Sequence, residues 1–401
     1  MQFIFADHVL DTDRRELRRS GGLIAVEPQV FDLIVYLVRN RERVVSKDDL
    51  IEAVWGGRIV SESTLTSRIN AARKAVGDSG EDQRIIRTIP RKGFRFVCNI
   101  DQIDQARESP AAPTVKPLSS PASLRQEIKF CTASDGVRIA YALAGQGPPL
   151  VKAANWLNHL EYDWQSPIWS PLLHALASEH RLIRYDERGN GLSDWDVEDI
   201  SFDSFVRDLE SVVDAIGFDR FALLGISQGC AVSIAYAVRH PERLTHLILY
   251  GGYARGRRRR GNVEEVEQTD ALLTLMRHGW GQQNPAFRQI FTTRFVPGGT
   301  AEQMQWFNDL QRITTSPENA VRIVQATSNL DVTDLLPRVR APTLVLHCRN
   351  DAAQPFEEGR RIAAGIPGAR FVALEGQNHL VLQSDPAWNR LLDEIHGFLR
   401  S

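Results

Sequence analysis

A serine hydroxyl attacks carbonyl carbon only when a base can take its proton and a carboxylate holds that base in the right tautomer. Ser227 is the candidate nucleophile, in Gly225-Ile226-Ser227-Gln228-Gly229 directly after the apolar run Phe221-Ala222-Leu223-Leu224. The spacing is that of a GxSxG turn between a strand and a helix, where glycines let the backbone lift a serine oxygen above the end of a sheet and neighbouring amides can receive an oxyanion. An acid and a base follow in chain order. Asp351 lies three residues beyond the apolar run ending at Cys348, and His379 falls in Gly376-Gln377-Asn378-His379-Leu380, past the last apolar run. His159 is the serious rival as base and Asp334 a substitute acid. His347 lies inside a strand pattern, and His240 and His246 flank Pro241 in a surface turn.

The elements that must position these residues repeat from Glu127 onward. Short apolar runs at Ile128–Cys131, Val137–Leu143, Leu150–Ala154, Leu182–Tyr185, Phe221–Leu224, Leu247–Tyr250, Thr343–Cys348 and Arg370–Leu374 alternate with helical stretches. That rhythm predicts a mostly parallel sheet covered on both faces. Residues 253–335 break it, read as mainly helical, and are expected to form a lid over the sheet's carboxyl end. Trp156, Leu157, Tyr162, Trp164, Trp169 and Tyr253 are candidate lining of an apolar pocket, with core or lid packing as the plain alternative. The basic run Arg255–Arg260 reads as a solvated lid loop, a contact to DNA or acidic protein being the other reading.

The first hundred residues are different. Short apolar runs before residue 27 read as small antiparallel strands, and Pro28 suits the first turn of a helix carrying Val30, Phe31, Ile34, Leu37 and Val38. Ser46 with Asp49 predicts a capping box for a second helix, Lys47 to Trp55. In a third helix, about Ser61 to Val76, Leu65, Ile69, Ala72 and Val76 form one stripe. The other face carries Ser63, Ser67, Asn70 and Lys74, with Thr66 on its edge, and Arg68 and Arg73 flank the stripe. Small polar residues with basic flanks suit a helix in a major groove, where Asn reads a base edge and Arg or Lys holds phosphate. Two further runs predict a hairpin whose tip, Pro90-Arg91-Lys92-Gly93, is basic as a wing on DNA would be.

Bulk properties fit two domains in one chain of 401 residues. Hydrophobic content of 43% and charged content of 24% are those of globular protein, which sets aside disordered and fibrous classes. Residues 1–100 hold 17 Lys+Arg against 14 Asp+Glu (+3), and the remainder holds 31 against 36 (−5), so the N-terminal part has the sign that nucleic acid requires. The four cysteines show no CxxC spacing, which predicts reduced thiols and no metal site. No signal-peptide pattern opens the chain, and no apolar run approaches the roughly 20 residues of a membrane span. The expected location is therefore cytoplasmic. Pro110, Pro113, Pro117 and Pro121 among Ala, Ser and Thr predict a linker at 101–126, separating 1–100 from 127–401.

Two resemblances follow from these motifs. Val54-Trp55-Gly56, Ser63-Thr64-Leu65 through Gly77-Asp78, and Ile86 through Phe96 resemble the OmpR/PhoB-type winged-helix domain. That resemblance implies a recognition helix at 61–76, a wing at 85–97, double-stranded DNA as partner and a loop near Trp55–Val60 that can be offered to RNA polymerase. Ala71 stands where some relatives carry a base-reading arginine, and no receiver domain precedes the module. The layout resembles CadC/ToxR-like one-component regulators without their membrane span. Residues 127–401 resemble the α/β-hydrolase superfamily, with Asp186-Glu187-Arg188-Gly189-Asn190-Gly191-Leu192-Ser193 as its DxRGxGxS turn. This implies an α/β-hydrolase fold with helical lid, no cofactor, and Ser227 as nucleophile, Asp351 as acid and His379 as base. The oxyanion donors implied are the amides of Gln228 and Trp156. Ala154-Asn155 replaces the usual His-Gly pair ahead of Trp156, which leaves the oxyanion loop the departure that matters.

Together these readings predict a regulator that binds DNA through a winged helix and receives, or hydrolyses, a small ester, lactone or similar ligand. Paired half-sites predict a homodimer on DNA. The alternative is an active esterase- or lactonase-like serine hydrolase whose N-terminal module only localises it or contacts protein.

Overall fold

The structure is a computed structural model that describes residues 2–12, 15–19, 22–24, 26–41, 43–55, 62–80, 82–89, 92–98, 101–103, 124–282, 284 and 286–401. The chain forms two compact units, Met1–Lys116 and Pro117–Ser401.

In the N-terminal unit, β1 (Gln2–Phe5), β2 (His8–Asp11), β3 (Glu16–Arg19) and β4 (Gly22–Ile24) form an antiparallel meander. Helices α1 (Pro28–Arg39), α2 (Lys47–Trp55) and α3 (Glu62–Ala75) follow, then the hairpin β5 (Ile86–Ile89) and β6 (Gly93–Phe96). The expected capping box starts α2: the Asp49 N–H donates to Ser46 Oγ at 3.0 Å, and the Ser46 N–H donates to Asp49 Oδ2 at 3.2 Å. The unit does not end at residue 100. Strand β7 (Asp101–Ile103) pairs antiparallel with β1, so the first residues assigned to the linker complete a five-stranded sheet. Sheet completion was hidden because Asp101 and Gln102 carry none of the apolar alternation of a strand. The rest of the expected linker, from 104 to 123, lies outside the described residues.

The C-terminal unit contains an eight-stranded sheet. Its strands are β8 (Gln126–Thr132), β9 (Arg138–Ala144), β10 (Pro149–Lys152), β11 (Arg181–Tyr185), β12 (Phe221–Ile226), β13 (Leu244–Tyr250), β14 (Thr343–Cys348) and β15 (Arg370–Leu374). Their order in space is β15-β14-β13-β12-β10-β11-β9-β8. All pairings from β11 through β10 to β15 are parallel, whereas β8 and β9 are antiparallel additions at one edge. Burial follows this order: every residue of β12 and β14 is buried, while β8 alternates as an edge strand does. Helices α4 (Leu160–Trp164), α5 (Ser170–Glu179), α6 (Phe202–Ile216) and α7 (Gly229–Arg239) connect the first strands. Helix α6 starts in a Ser201/Ser204 capping box and stops at Gly217, whose φ of +70° few side chains adopt. The expected lid comprises α8 (Val263–Gly279), α9 (Ala286–Phe295), α10 (Ala301–Thr314) and α11 (Pro317–Asn329), inserted between β13 and β14. Helices α12 (Phe356–Gly365) and α13 (Trp388–Leu399) complete the layers.

The topology locates the site. From β10 the chain goes first to β11 on one side, then to β12 on the other. Loops leaving the carboxyl ends of β10 and β12 therefore diverge and open a crevice between them.

Candidate active site and nucleic-acid face

Ser227 closes β12 with φ +54°, a left-handed conformation uncommon for a residue with a side chain. Its N–H donates to Tyr250 O at 3.0 Å, which fixes the turn against β13. The two motif glycines are needed because backbone passes too close. A Cβ at Gly225 would sit 2.7 Å from Cys230 Cα, and one at Gly229 would sit 2.7 Å from Ala154 O. The second contact draws the start of α7 onto the loop after β10. Neither the Gln228 amide nor the Trp156 amide donates to any acceptor among the described residues. Gln228 is also the N-cap of α7, at the positive end of the helix dipole.

Asp351 and His379 come together from two loops on that rim. His379 Nδ1 and Asp351 Oδ2 are 2.7 Å apart, and both side chains are essentially buried. Asp351 Oδ1 accepts the N–H groups of Ala353 at 2.8 Å and Gln354 at 2.9 Å. Burial alone would raise the Asp351 carboxyl, but the charge and hydrogen bond of His379, then His347 and the Gln354 N–H, hold it below its ordinary value. His379 is anchored through its backbone: its N–H donates to Phe295 O at 2.9 Å, and its O accepts the Tyr250 hydroxyl at 2.6 Å. Its Nε2 has no hydrogen-bond partner among the described residues. His379 and Ser227 line one small cavity of about 190 Å³ with Asn155, Trp156, Leu157 and Trp169. Ser227, Gln228 and Trp156 also line a larger cavity of about 610 Å³ beneath the lid.

The rivals are elsewhere. His159 caps α4, its Nδ1 accepting the Tyr162 N–H at 3.3 Å, and faces a separate surface groove. Asp334 lies in the short turn Thr333–Arg338, and the carboxylate on His379 is that of Asp351. His240 pairs with Glu210 at 2.9 Å, and His246 packs on Phe398. Of the candidate pocket-lining residues, Tyr253 reaches the larger cavity, Leu157 and Trp169 the smaller, and Trp156 both. Tyr162 and Trp164 instead line the groove with His159, Tyr162 stacked on Trp306 and Trp164 edge-to-face with His174.

Four features escaped the sequence reading. His347 Nε2 lies 3.5 Å from Asp351 Oδ2, so a second histidine flanks the acid from inside β14. The buried Lys152 ammonium donates to Asn155 Oδ1, bracing the loop where Ala154-Asn155 departs from His-Gly. Burial holds the Lys152 ammonium below its ordinary value, with Arg184 adding to the effect. Gln228 Nε2 donates to Glu187 Oε2 at 2.7 Å, which ties the residue after Ser227 to the DxRGxGxS turn. Finally, Arg255–Arg260 is not a solvated loop. Arg255 pairs with buried Glu358 at 2.8 Å, Arg258 with Asp270, and Arg260 donates to Gln354 Oε1 at 2.7 Å, while Arg257 lines the larger cavity. Their partners lie up to 103 residues away in the chain, so no local pattern announces them.

In the N-terminal unit, Leu65, Ile69, Ala72 and Val76 are buried against the core, as the stripe predicts. Thr66, Ser67, Asn70 and Lys74 are exposed on α3, and Lys92 is exposed at the hairpin. Arg68 is partly buried and paired with Glu27. Arg73 departs from the expected phosphate contact. It is 5% exposed, and its guanidinium donates to Ile86 O at 3.0 Å and Thr88 Oγ1 at 2.8 Å, which fastens α3 to the hairpin. Asp78 completes that joint by accepting the N–H groups of Ser79, Arg84, Ile85 and Ile86. Burial opposes the charge on Asp78, and these four donors outweigh it, leaving the carboxyl below its ordinary value. The Ser63 side chain, Arg91 and the loop residues 56–60 lie outside the described residues.

Such a fold with this rim is that of an α/β hydrolase, and residues 139–388 match the alpha/beta hydrolase family. The chain belongs to that family. Residues 21–96 match the family of the transcriptional regulatory protein C-terminal domain, the OmpR/PhoB type. Among curated proteins, the chain is 25% identical over 239 residues to a putative carbamate hydrolase, RutD, of Rhizobium rhizogenes, covering 58% of this chain and 87% of that protein. It is 27% identical over 250 residues to the AB hydrolase superfamily protein YisY of Bacillus subtilis strain 168, covering 59% and 86%. A crystal structure of a hydrolase from Pseudomonas aeruginosa PA01 superposes with a TM-score of 0.58 at 24% identity, over 68% of this chain and 98% of the other. Among the described residues, no helix is long and apolar enough to cross a membrane.

Proposed function

We propose that this chain is a DNA-binding regulator whose hydrolase unit receives a small acyl compound and can cleave it. The observation that carries the catalytic part is the state of His379: Nδ1 is held by Asp351 at 2.7 Å, while Nε2 is unpartnered and borders the cavity that Ser227 also lines. In the proposed reaction Ser227 Oγ attacks the acyl carbon as its proton passes to His379 Nε2. The oxyanion receives the free N–H groups of Gln228 and Trp156. The leaving alcohol or amine departs with the proton from His379. Water, deprotonated by the same nitrogen, then cleaves the acyl-serine and regenerates the hydroxyl.

The test is labelling of the full chain by a fluorophosphonate, compared with Ser227→Ala and His379→Ala. Labelling that Ser227→Ala abolishes supports the reading, with turnover of an activated ester expected to fall by about 10⁴-fold or more in either variant. No Ser227-dependent labelling would leave a second reading, ligand sensing without turnover. The observation favouring that reading is Asn155 in the oxyanion loop, tied to Lys152.

For the N-terminal unit we propose contact with double-stranded DNA through Ser63, Thr66, Ser67, Asn70 and Lys74 of α3, with Arg91 and Lys92 at the wing. Arg68 and Arg73 act there as supports. Binding as a homodimer on paired half-sites, and an approach of RNA polymerase to residues near Trp55–Val60, complete the reading. What supports it is the family match over 21–96 together with the exposed polar face of α3. Sedimentation of the protein on genomic fragments it retains should give two chains per site, and one chain per site contradicts the dimer.

A further inference from the structure

The larger cavity has an uneven lining. Trp156, Phe291 and Phe295 form an aromatic wall next to Ser227, whereas Arg257 and Arg294 contribute two guanidinium groups. Cations that lose water are ordinarily matched by carboxylates. These two are not. Among the described residues Arg257 makes one hydrogen bond, to the backbone oxygen of Ala353 at 2.9 Å. Arg294, in the last turn of α9, has no hydrogen bond or ion pair among the described residues. The nearby acids are already engaged: Glu265 with Arg260 at 3.5 Å, and Asp351 with His379 at 2.7 Å. Burial first, and then the neighbouring charges of Arg294 and Arg260, push the Arg257 guanidinium down to about 10. Burial and the charge of Arg260 likewise lower Arg294. Two cations on one cavity wall with no carboxylate bonded to either among the described residues, in a site that already holds the nucleophile, are short of a negative charge.

We infer that the pocket takes an acyl compound carrying a carboxylate, which Arg257 and Arg294 hold while the aromatic wall packs its hydrocarbon part beside Ser227. The inference deepens the proposed function and rests on that reading for the role of Ser227, but not for the binding of the anion. It supplies a route from ligand to rim as well. Arg294 directly precedes Phe295, whose carbonyl accepts the N–H groups of His379 at 2.9 Å and Leu380 at 3.3 Å. An anion drawing on Arg294 therefore bears on the segment that seats the catalytic base.

The experiment is calorimetric titration of the unmodified full chain with 4-phenylbutyrate and with its neutral isostere, 4-phenylbutanamide. The carboxylate should bind at least about tenfold more tightly than the amide, a difference of about 1.4 kcal/mol. That preference should fall at least about fivefold in Arg257→Gln and in Arg294→Gln, and survive in Arg258→Gln, whose guanidinium is paired with Asp270 outside the cavity. The carboxylate should also slow fluorophosphonate labelling of Ser227. Equal affinity for the two probes, absence of carboxylate binding at millimolar concentration, or a preference untouched by both cavity substitutions overturns the inference. Carboxylate preference without labelling removes the catalytic reading and keeps the anion site. Labelling without carboxylate preference does the reverse.

Discussion

The turn from Asp186 to Ser193 and the rim around Ser227 are both polar and both buried, yet they treat their hydrogen-bonding groups in opposite ways. In the turn, Arg188 spends all three guanidinium nitrogens on Asp208 and Asp135, at 2.6–3.3 Å, and on the Asp199 carbonyl. Asp186 accepts from Asn158, Leu160 and Leu192, while Ser193 donates to Asp186 O and accepts from Ala140 N. At the rim, His379 Nε2, the Arg294 guanidinium and the amides of Gln228 and Trp156 have no acceptor or donor opposite them among the described residues. Leaving buried polar groups unpaired costs on the order of 1–3 kcal/mol each. A chain that pairs nearly every group in one region, Asn190 Oδ1 excepted, and leaves the other open is spending stability where a ligand's atoms would complete the set. The turn is built as scaffold and the rim is the site of the proposed chemistry, although the family motif marks both.

The largest effect that could break this contrast is at Asp351. Asp351→Asn keeps the shape but no longer fixes the histidine tautomer, so kcat on an activated ester should fall by about 10⁴-fold. Stability at neutral pH should change far less than the rate does. The acid limb gives a second readout. Because the folded Asp351 carboxyl lies below its ordinary 3.8, it favours the folded state above that value, and the contribution is lost as pH falls through the lowered folded value. Thermal unfolding followed against pH should show that loss in the wild type and a smaller one in Asp351→Asn. An identical acid limb in both would assign it to other carboxylates.

Arginines sharpen the contrast next. Arg188→Met leaves buried Asp208 without its cation, and the expected loss is about 3–5 kcal/mol in urea or thermal unfolding. Arg257→Gln removes a cation that has no carboxylate partner, so its cost should stay below about 1 kcal/mol, and a small gain is allowed. Equal destabilisation by the two substitutions would mean that Arg257 is scaffold after all and that its place on the cavity wall is incidental.

The sequence announced positions better than partners. The placement of Ser227, Asp351 and His379 on loops at one rim was legible because each follows a strand by a short, countable distance, and strand runs such as Phe221–Ile226 and Thr343–Cys348 are unmistakable in composition. The lid was legible as an interruption of the strand rhythm. What stayed hidden depends on side chains meeting across long separations: Arg255 with Glu358, Gln228 with Glu187, Phe295 with His379. Periodicity says which face a residue occupies and nothing about who stands opposite. Hence a run of arginines read as solvated turned out to be anchored, and His347, set aside as a strand residue, flanks the acid from within that strand.

Arg73 and Lys74 carry the same contrast into the N-terminal unit, at the smallest scale. They are adjacent on α3, and a basic flank gives no reason to separate them. The fold does separate them, since Arg73 is bonded to Ile86 O and Thr88 Oγ1 while Lys74 is exposed. Arg73→Ala should therefore destabilise the unit by about 1–3 kcal/mol, because the Ile86 carbonyl and the Thr88 hydroxyl lose a buried donor. Its effect on DNA should appear as a loosened hairpin, lowering affinity at every salt concentration by a similar factor. Lys74→Ala should leave unfolding unchanged within about 0.5 kcal/mol and instead reduce the slope of log affinity against log salt by about 1, the signature of one phosphate contact. Fluorescence anisotropy on a DNA fragment at several salt concentrations, paired with thermal unfolding of each variant, measures both quantities. If Arg73→Ala shifts the salt slope and spares stability, the guanidinium leaves its hairpin to meet the phosphate, and the division between supporting and contacting basic residues fails at this helix.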